Sequence, residues 1–188
     1  MGRARDAGVS ARTTVQTVPA SRKRRVDKEQ FFTSRALVRR CLDTVERLYG
    51  PSLFAWCVEP SAGDGAFLEG LPAGRTSALD IAPLADGIEQ ADFLSWSPPE
   101  RPGPVLTLGN PPFGPRGVLA VKFLAKACTY SDVVAFILPR SFNKDTFQSR
   151  VDRRFHLVHA FDCDQFRDPA GEPVQVNAVF QIWEKREA

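Results

Sequence analysis

The sequence predicts an α/β domain: a mostly parallel sheet that finishes in one antiparallel strand, with helices on both faces. From residue 27 onward, short apolar runs that end in polar residues alternate with segments of helical periodicity, which is typical of this class. The last two apolar runs are joined by the polar stretch 162–177, which contains two prolines and a glycine and shows no helical periodicity. A parallel crossover usually needs a helix, so this final pair is expected to be antiparallel.

Each element follows from its local pattern. A first helix is predicted over 34–48, where apolar residues recur at helical spacing and where Gly50 and Pro51 follow. The same periodicity predicts helices over 117–129 and 144–154. Apolar runs bounded by polar residues predict the strands. They are 53–58, 77–81, 105–108, 133–138, 157–161 and 178–183, with a further short strand at 91–94.

Length and composition favour a single intracellular domain. The 188 residues fit one domain with a tail, since domains commonly contain ~100–200 residues. With 43% hydrophobic and 25% charged residues, the composition excludes wholesale disorder and fibrous repeats. The longest apolar run, 133–138, is far shorter than the ~20 residues needed to cross a bilayer. No transmembrane helix and no membrane partner are therefore expected. No apolar segment of a signal peptide follows the N-terminal arginines, so secretion is not indicated.

Residues 1–26 are predicted to form a disordered basic arm, and residues 27–188 the folded domain. The first 25 residues hold seven basic side chains against one acid, Asp6, a net charge of +6, and show no sustained apolar periodicity. Nucleic-acid contact, a nuclear signal, an organellar transit peptide and a solvated tail without a specific role all fit this composition.

The cysteines and histidines do not predict a metal site. The four cysteines are far apart and form no C-x-x-C pair, so buried free thiols are the simplest interpretation. His156 and His159 are three positions apart in one predicted strand and are expected to point to opposite faces of the sheet.

A glycine-containing segment, 58–68, follows the strand 53–58. Gly63 and Gly65 at the carboxyl end of a strand let the backbone approach a ligand closely, at the place where open α/β sheets bind cofactors. Leu68 stands where a dinucleotide fingerprint needs its third glycine, and no Gly-Lys-Ser or Gly-Lys-Thr follows. Nicotinamide, flavin and Walker-type sites are therefore disfavoured, and a cofactor loop and an ordinary tight turn remain.

Two acids lie at later strand ends. Asp80 closes one predicted strand, where a carboxylate is positioned to accept hydrogen bonds from ribose hydroxyls. Asp92 and Phe93 could hold an adenine, the acid through the amino group and the phenyl ring through its face. Loop capping and plain solvation are the alternatives for each acid.

The most specific motif is Asn110-Pro111-Pro112-Phe113, after the strand 105–108. Two consecutive prolines remove backbone donors and fix φ, which makes the Asn110 side chain and the Pro111 carbonyl rigid acceptors. Phe113 adds an aromatic face beside them. This cluster suits a planar amine on a nucleobase. The two acceptors would take hydrogen bonds from its N–H groups and leave the nitrogen lone pair free to attack, while the base stacks on the Phe113 ring. A merely stiff turn explains neither Phe113 nor the position at a strand end.

Taken together, these motifs resemble, in order and spacing, those of S-adenosylmethionine-dependent N6-adenine methyltransferases. The resemblance spans roughly residues 30–185 and includes Phe31-Phe32-Thr33, although Ser34 stands where the family often has proline. It implies a Rossmann-like class I methyltransferase domain with seven strands, the last one antiparallel. It also implies S-adenosylmethionine as cofactor and methyl transfer to the N6 amine of adenine in nucleic acid, with DNA favoured over RNA.

The resemblance further implies a role for each matching residue. Phe32 and Thr33 correspond to the segment that packs on the cofactor, Glu59 to the acid near its methionine amino group, and Asp80 to the ribose-binding acid. The implied cofactor contacts are Phe32, Thr33, Glu59, Pro60, Ala62, Gly63, Gly65, Asp80, Ile81, Asp92, Phe93 and Asn110. The implied catalytic residues are Asn110, Pro111, Pro112 and Phe113.

The source of target specificity is less defined by the sequence. Basic residues after the motif are expected to contact phosphates, although a solvated helix face explains several of them equally well: Arg116, Lys122, Lys126, Arg140 and Lys144. The length leaves no room for a separate target-recognition domain. Specificity is therefore expected from loops such as 162–177, from the basic arm, or from a protein partner.

Other functions remain compatible with these motifs. RNA, including ribosomal RNA, is an alternative substrate, and relatives with tyrosine after Asn-Pro-Pro modify protein glutamine. A catalytically silent S-adenosylmethionine-binding subunit and a non-enzymatic nucleic-acid-binding module are alternatives of other classes. The intact acceptor motif argues against the first of these two, and the glycine loop argues against the second.

Overall fold

The structure, a computed structural model, describes residues 31–50 and 52–186, and the predicted basic arm at 1–26 lies outside the described residues. The helices are α1 (Arg35–Tyr49), α2 (Val118–Ala127) and α3 (Asp145–Gln148), with 3₁₀ turns at Leu68–Gly70, Pro115–Gly117 and Arg140–Asn143. The strands are β1 (Phe32–Thr33), β2 (Trp56–Glu59), β3 (Thr76–Asp80), β4 (Glu89–Gln90), β5 (Val105–Gly109), β6 (Val133–Pro139), β7 (Phe155–Cys163), β8 (Phe166–Arg167), β9 (Pro173–Val174) and β10 (Ala178–Lys185). Within these ranges, no helix is both long enough and apolar enough to span a bilayer.

Helix α1 begins and ends where its flanking residues favour it. The Ser34 hydroxyl accepts a hydrogen bond from the Leu37 N–H at 3.2 Å, a cap that contributes about 1 kcal/mol. Gly50 has φ +77°, and its N–H donates to the Glu46 carbonyl at 2.7 Å, which closes the last turn. The helix therefore ends one residue beyond the predicted boundary.

The main sheet has seven strands in the spatial order β4-β3-β2-β5-β6-β10-β7. Strands β2 to β6 are mutually parallel, whereas β10 runs antiparallel to both of its neighbours, β6 and β7. This confirms the predicted mostly parallel sheet with an antiparallel last strand. The last strand lies inside the sheet, so β7 is left at an edge.

Helices cover both faces of this sheet, as predicted. Strand β6 is buried along its length, and its side chains alternate between two apolar clusters. Ala135 and Ile137 belong to the cluster that contains the buried face of α1, whereas Val134 and Phe136 belong to the cluster that contains α2. All four cysteines of the chain are buried free thiols, which agrees with the interpretation from the sequence.

Two predicted elements are wrong in position or length. The short strand expected at 91–94 lies instead at Glu89–Gln90, because the Asp92 carbonyl accepts hydrogen bonds from two later N–H groups and starts a turn. The helix expected over 144–154 is only α3, four residues long. Asp152 accepts hydrogen bonds from the backbone and the guanidinium of Arg154, and this turn ends helical periodicity.

The polar stretch 162–177 contains an element that its sequence does not predict. Strands β8 and β9 form a hairpin there, and β8 pairs antiparallel with β1. Phe166 is opposite Thr33 in this pairing, and its side chain is 3% exposed in the α1-side core. The polar connection is thus joined to the segment before α1 by the pairing of β8 with β1 and by the buried side chain of Phe166.

Candidate active site

The parallel order β3-β2-β5 brings three predicted site residues to one edge of the sheet. Glu59 ends β2, Asp80 ends β3, and Asn110 directly follows β5. Carboxyl ends of neighbouring parallel strands meet at the same edge, which is where open α/β sheets bind ligands. Asp92 follows β4 at this edge as well.

Asp80 fixes the glycine loop against the end of β3. Its Oδ2 accepts a hydrogen bond from the Gly63 N–H at 2.8 Å, and its Oδ1 accepts one from the Ala82 N–H at 2.7 Å. Gly63 has φ +52° and Gly65 has φ +77°, in the left-handed region that favours glycine. The predicted acid and the predicted loop therefore form one unit, in which the carboxylate holds the backbone in a turn that glycine adopts without steric strain.

Glu59 is a buried carboxyl group, 1% exposed, at the centre of this edge. Burial, followed by the nearby charges of Asp64 and Asp80, raises the pKa of Glu59 to about 8. Its Oε2 atom is buried and finds no hydrogen-bond partner among the residues that the structure describes. Gly109 at the end of β5 has φ +146°, a backbone conformation that favours glycine, and a Cβ there would lie in ordinary van der Waals contact with Glu59 Cγ at 3.5 Å.

Asn110 is held at both its backbone and its side chain. The Asn110 carbonyl accepts a hydrogen bond from the Ser61 hydroxyl at 3.0 Å, and its Nδ2 donates to Thr33 Oγ1 at 3.2 Å. Its Oδ1 is buried without a hydrogen-bond partner in the described ranges. The amide is therefore oriented by its donor end, while its acceptor atom is left available.

Phe113 lies at the junction of the two apolar clusters and is half-buried. Its carbonyl accepts hydrogen bonds from the N–H groups of Leu119 and Ala120 at 3.1 and 3.2 Å, which fixes the motif against the start of α2. Pro111 before it is buried, and Pro112 is exposed. The motif is thus a rigid turn between β5 and α2 in which Phe113 is only partly buried.

The position of the Phe93 ring corrects the prediction that it holds an adenine by its face. Phe93 is 1% exposed, and its ring packs against Phe123 at 5.0 Å and Trp96 at 6.5 Å between centroids. The turn that starts at Asp92 directs this large apolar side chain into the core beneath α2. Asp92 itself is exposed, and its Oδ1 accepts a hydrogen bond from the Leu94 N–H at 3.0 Å.

The other predicted contacts are distributed around the same edge. Pro60 and Ala62 are buried in the glycine loop, and Ile81 is 56% exposed beside Asp80. Arg140, at the end of β6, forms an exposed ion pair with Asp162 at 2.8 Å. Of the remaining predicted phosphate contacts, Lys126 is half-buried and three are exposed: Arg116, Lys122 and Lys144. No cluster of three or more potential metal ligands occurs in residues 31–50 and 52–186.

Two contributors to the site were not predicted from the sequence. Ser61 supports the Asn110 backbone, and Gly109, with φ +146°, ends β5 in a conformation that favours glycine. Gly109 directly precedes the Asn110-Pro111-Pro112-Phe113 motif in the sequence. Nothing local signalled the Ser61 contact, because its partner lies 49 positions further along the chain.

Comparisons with known proteins agree with this geometry at the level of the fold. No model of a protein family matches the chain, and no curated protein sequence matches it. A solved structure from Pyrococcus horikoshii, presented as a candidate RNA methyltransferase, is 20% identical with a TM-score of 0.64, over 85% of this chain and 89% of that one. The chain has the class I methyltransferase fold.

Two further structures share the class I methyltransferase fold. A candidate class I S-adenosylmethionine-dependent methyltransferase from Listeria monocytogenes is 13% identical with a TM-score of 0.62, over 84% of this chain and 61% of that one. The 23S rRNA methyltransferase ErmE is 18% identical with a TM-score of 0.55, over 84% of this chain and 70% of that one. The class I fold places its ligand edge at the carboxyl ends of the strands, where Glu59, Asp80 and Asn110 meet.

Proposed function

We propose that the chain is a methyltransferase that moves a methyl group from S-adenosylmethionine to the N6 amine of adenine in nucleic acid. This proposal rests on the hydrogen bonding of the Asn110 side chain. Thr33 engages its donor end, and its acceptor atom Oδ1 is buried and unpartnered in the part of the chain that the structure describes. Buried acceptors are normally hydrogen-bonded, so this one suits the N–H groups of a planar amine.

The residues at the sheet edge fit S-adenosylmethionine, which supplies an activated methyl group on a sulfonium when bound. Glu59 is the residue proposed for the ammonium group of its methionine part, because the buried Oε2 atom has no partner in the described ranges. Asp80 retains acceptor capacity beyond its two backbone N–H bonds, which suits ribose hydroxyls. Ile81 and Leu84, 56% and 61% exposed, offer apolar surface for an adenosine next to that carboxylate.

Other predicted cofactor contacts are proposed with smaller roles. The segment Phe32–Thr33 belongs to β1, beside the glycine loop, since a Cβ at Gly63 would lie 3.8 Å from the Phe32 ring. Asp92 is exposed and remains the residue proposed for the adenine amino group. The ring of Phe93 has no part in the proposal.

The chain's own contribution to methyl transfer is alignment and electrostatics. Alignment of two reacting groups can contribute about 7–11 kcal/mol to lowering a barrier. As the amine attacks, positive charge develops on N6, and the Asn110 Oδ1 and Pro111 carbonyl dipoles, fixed before the reaction, stabilise it. The surplus N6 proton is acidic after transfer and leaves to water, so no strong general base is needed.

Phe113 is proposed to stack on the target base. A base in a duplex must be flipped out to reach this edge, at a cost of a few kcal/mol, whereas a single strand presents it more easily. The accessible part of the half-buried Phe113 ring can contribute about 1–3 kcal/mol by stacking. Exposed basic residues around the edge are proposed phosphate contacts: Arg116, Lys122, Arg140 and Lys144.

RNA is the second candidate substrate. It is supported by the likeness to the Pyrococcus horikoshii structure and to ErmE, whose names refer to RNA and to 23S rRNA. A silent subunit that binds the cofactor and supports a partner is the alternative of another class. It does not require the rigid Asn110 acceptor that this chain retains.

Methyl transfer from labelled S-adenosylmethionine tests the proposal. Duplex DNA, single-stranded DNA, RNA and protein extract are offered separately, and the modified nucleosides are resolved by mass spectrometry. N6-methyladenine in one pool is expected, with a loss of about 10²–10³-fold in kcat for Asn110→Ala and a cofactor Kd within threefold of wild type. Cofactor binding without transfer to any pool would favour the silent subunit, and an undiminished rate in Asn110→Ala would remove the assignment of that residue.

A further inference from the structure

A groove of about 620 Å³ lies between helix α1 and the edge strand β7, outside the site described above. We call it the arginine groove, after Arg39, Arg40 and Arg47 of α1, which line it together with His159 and Phe161 of β7. All three arginines are exposed. The proposed function does not use any of these residues.

The arginine groove carries an excess of positive charge. Its lining contains three arginines and a single acid, Asp43. In residues 31–50 and 52–186, none of the three guanidinium groups has a carboxylate oxygen within 4.0 Å, whereas Arg35 and Arg140 are both in ion pairs. Guanidinium groups without an anionic partner are available for an external anion, and they match phosphate geometry well.

One of these arginines is already held in place by an aromatic ring. The Arg40 Cζ atom lies 3.9 Å from the centroid of the Phe161 ring, and the His159 ring meets Phe161 edge-on at 6.1 Å. A guanidinium that stacks on an aromatic face keeps its N–H groups at its rim free for hydrogen bonds. Arg40 is therefore partly preorganised for binding a phosphate.

The arginine groove begins at the same edge of the sheet as the candidate active site. Strand β7 is antiparallel to β10, which is antiparallel to β6, so β7 runs in the direction of the parallel strands. Phe161, near its carboxyl end, therefore lies towards the edge where Asn110 is found. Helix α1 starts two residues after Thr33, and Arg39 to Arg47 extend about 12 Å along its axis away from that edge.

We propose that the arginine groove binds the phosphate backbone of the single-stranded nucleic-acid segment next to the target adenine. This inference rests on the proposed function and specifies where its substrate is held. Three arginines without an ion-pair partner in the described ranges, one of them stacked, provide the affinity, and the shared edge provides the register between the bound strand and Asn110. The groove contacts backbone only, so it contributes affinity rather than sequence preference.

The test compares two triple variants of the full chain that remove the same charge. The groove triple is Arg39→Gln, Arg40→Gln and Arg47→Gln. The control triple is Arg75→Gln, Arg101→Gln and Arg150→Gln, three exposed arginines outside the arginine groove whose guanidinium groups have no carboxylate oxygen within 4.0 Å in the described ranges. It is matched in stacking as well, because the Arg101 Cζ atom lies 3.9 Å from the centroid of the Trp56 ring.

Fluorescence anisotropy measures the binding of labelled single-stranded RNA and DNA of one sequence at salt concentrations from about 50 to 200 mM. Over this range, affinity that depends on phosphate contacts falls steeply. The groove triple is expected to raise Kd at least about tenfold, and to reduce the salt slope by about 2, since each single-strand phosphate contact contributes about 0.7. The control triple is expected to change Kd less than about threefold. Equal effects of the two triples would overturn the proposal.

Folding and partner class are tested in the same series. The single variant Arg39→Gln, which leaves the Arg40 stack intact, is expected to show a smaller loss in the same direction, with unchanged thermal unfolding. Competition by poly-glutamate as strong as by an oligonucleotide of equal charge would overturn the proposal in favour of an acidic protein partner.

Kinetics separate this inference from the proposed function. The groove triple is expected to raise the KM for nucleic acid about tenfold, with kcat within about twofold and with unchanged cofactor affinity. Wild-type methylation that the groove triple does not impair would refute the groove and leave the function standing. Binding of nucleic acid through the groove without methylation of any pool would refute the proposed function and leave the groove standing. A wild-type protein that binds no nucleic acid would refute the groove.

Discussion

Thr33 Oγ1 accepts a hydrogen bond from Asn110 Nδ2 at 3.2 Å and thereby joins two residues that are 77 positions apart. Thr33 is 9% exposed and belongs to β1, which pairs antiparallel with β8. The bond determines which end of the Asn110 amide is engaged, so Oδ1 is the atom left to accept from a substrate.

Replacement of Thr33 tests this relationship. Thr33→Val keeps the side-chain shape but removes the acceptor, so the Asn110 amide loses its orientation. We expect kcat to fall about tenfold with little change in the KM for nucleic acid, because a misoriented acceptor costs about 1–2 kcal/mol in the transition state. Thr33→Ser is expected to restore most of the rate. Thr129→Val, which removes a hydroxyl that bonds only to the Lys126 carbonyl in the described ranges, is the control. A fully active Thr33→Val variant would contradict the assignment.

At pH values above the usual pKa of a glutamate, Glu59 is expected to lower the free energy of unfolding. In the unfolded chain the carboxyl loses its proton near pH 4.5, whereas in the folded chain it holds the proton to about pH 8. The folded state therefore binds more protons in this window, and the free energy of unfolding falls as pH rises through it. Glu59→Gln does not titrate, so its Tm should exceed that of wild type by a margin that grows from pH 5 to pH 8. Thermal unfolding across this range measures the margin, and a margin that is constant with pH would count against the buried carboxyl.

The same group predicts proton release when the cofactor binds. Below about pH 8 the free protein holds Glu59 protonated, whereas an ion pair with an ammonium group requires the carboxylate. At pH 7 we expect close to one proton to be released per bound S-adenosylmethionine, and none in Glu59→Gln, which should also bind more weakly. Calorimetry in two buffers of different ionisation enthalpy counts the proton. Equal proton counts in wild type and variant would exclude Glu59 as the partner of the ammonium group.

Phe113 is expected to act on the target base and not on the cofactor. Phe113→Leu preserves most of the volume that packs between the two apolar clusters but removes the aromatic face. Loss of stacking should lower kcat/KM for nucleic acid about 5–160-fold, and Phe113→Tyr should retain most of the wild-type kcat/KM. Cofactor titration provides the control, since its Kd should be unchanged in both variants. A Leu variant as active as wild type would show that the ring only packs.

The sheet was predictable because its signals are local. Strand β6 is a continuous apolar run, and α1 combines a periodic apolar face with a serine cap and a terminal glycine. The errors occurred where the local pattern was short. In 144–154, two apolar residues four apart, Phe147 and Val151, imitated a helix that the Asp152 turn ends. At 91–94, a short apolar run predicted a strand, and an acid beside an aromatic residue predicted an adenine contact. The turn at Asp92 instead directs the Phe93 ring into the core.

By itself the sequence determined the class of the fold and the set of chemically unusual residues, since strand ends, glycine loops and the double proline depend on neighbours within a few positions. Parallel pairing then made it predictable that Glu59, Asp80 and Asn110 would share an edge. Only the tertiary structure decided how these residues are held. Asp80 accepts a hydrogen bond from the Gly63 N–H, and Asn110 is hydrogen-bonded to Ser61 and Thr33. The strand β1, which contains Thr33, pairs with the β8–β9 hairpin near the far end of the chain. These contacts join segments whose separation leaves no periodic trace in the sequence. They form because the burial of Phe166 and the pairing of β1 with β8 bring the segments together, and the arginine groove likewise depends on the packing of α1 beside β7.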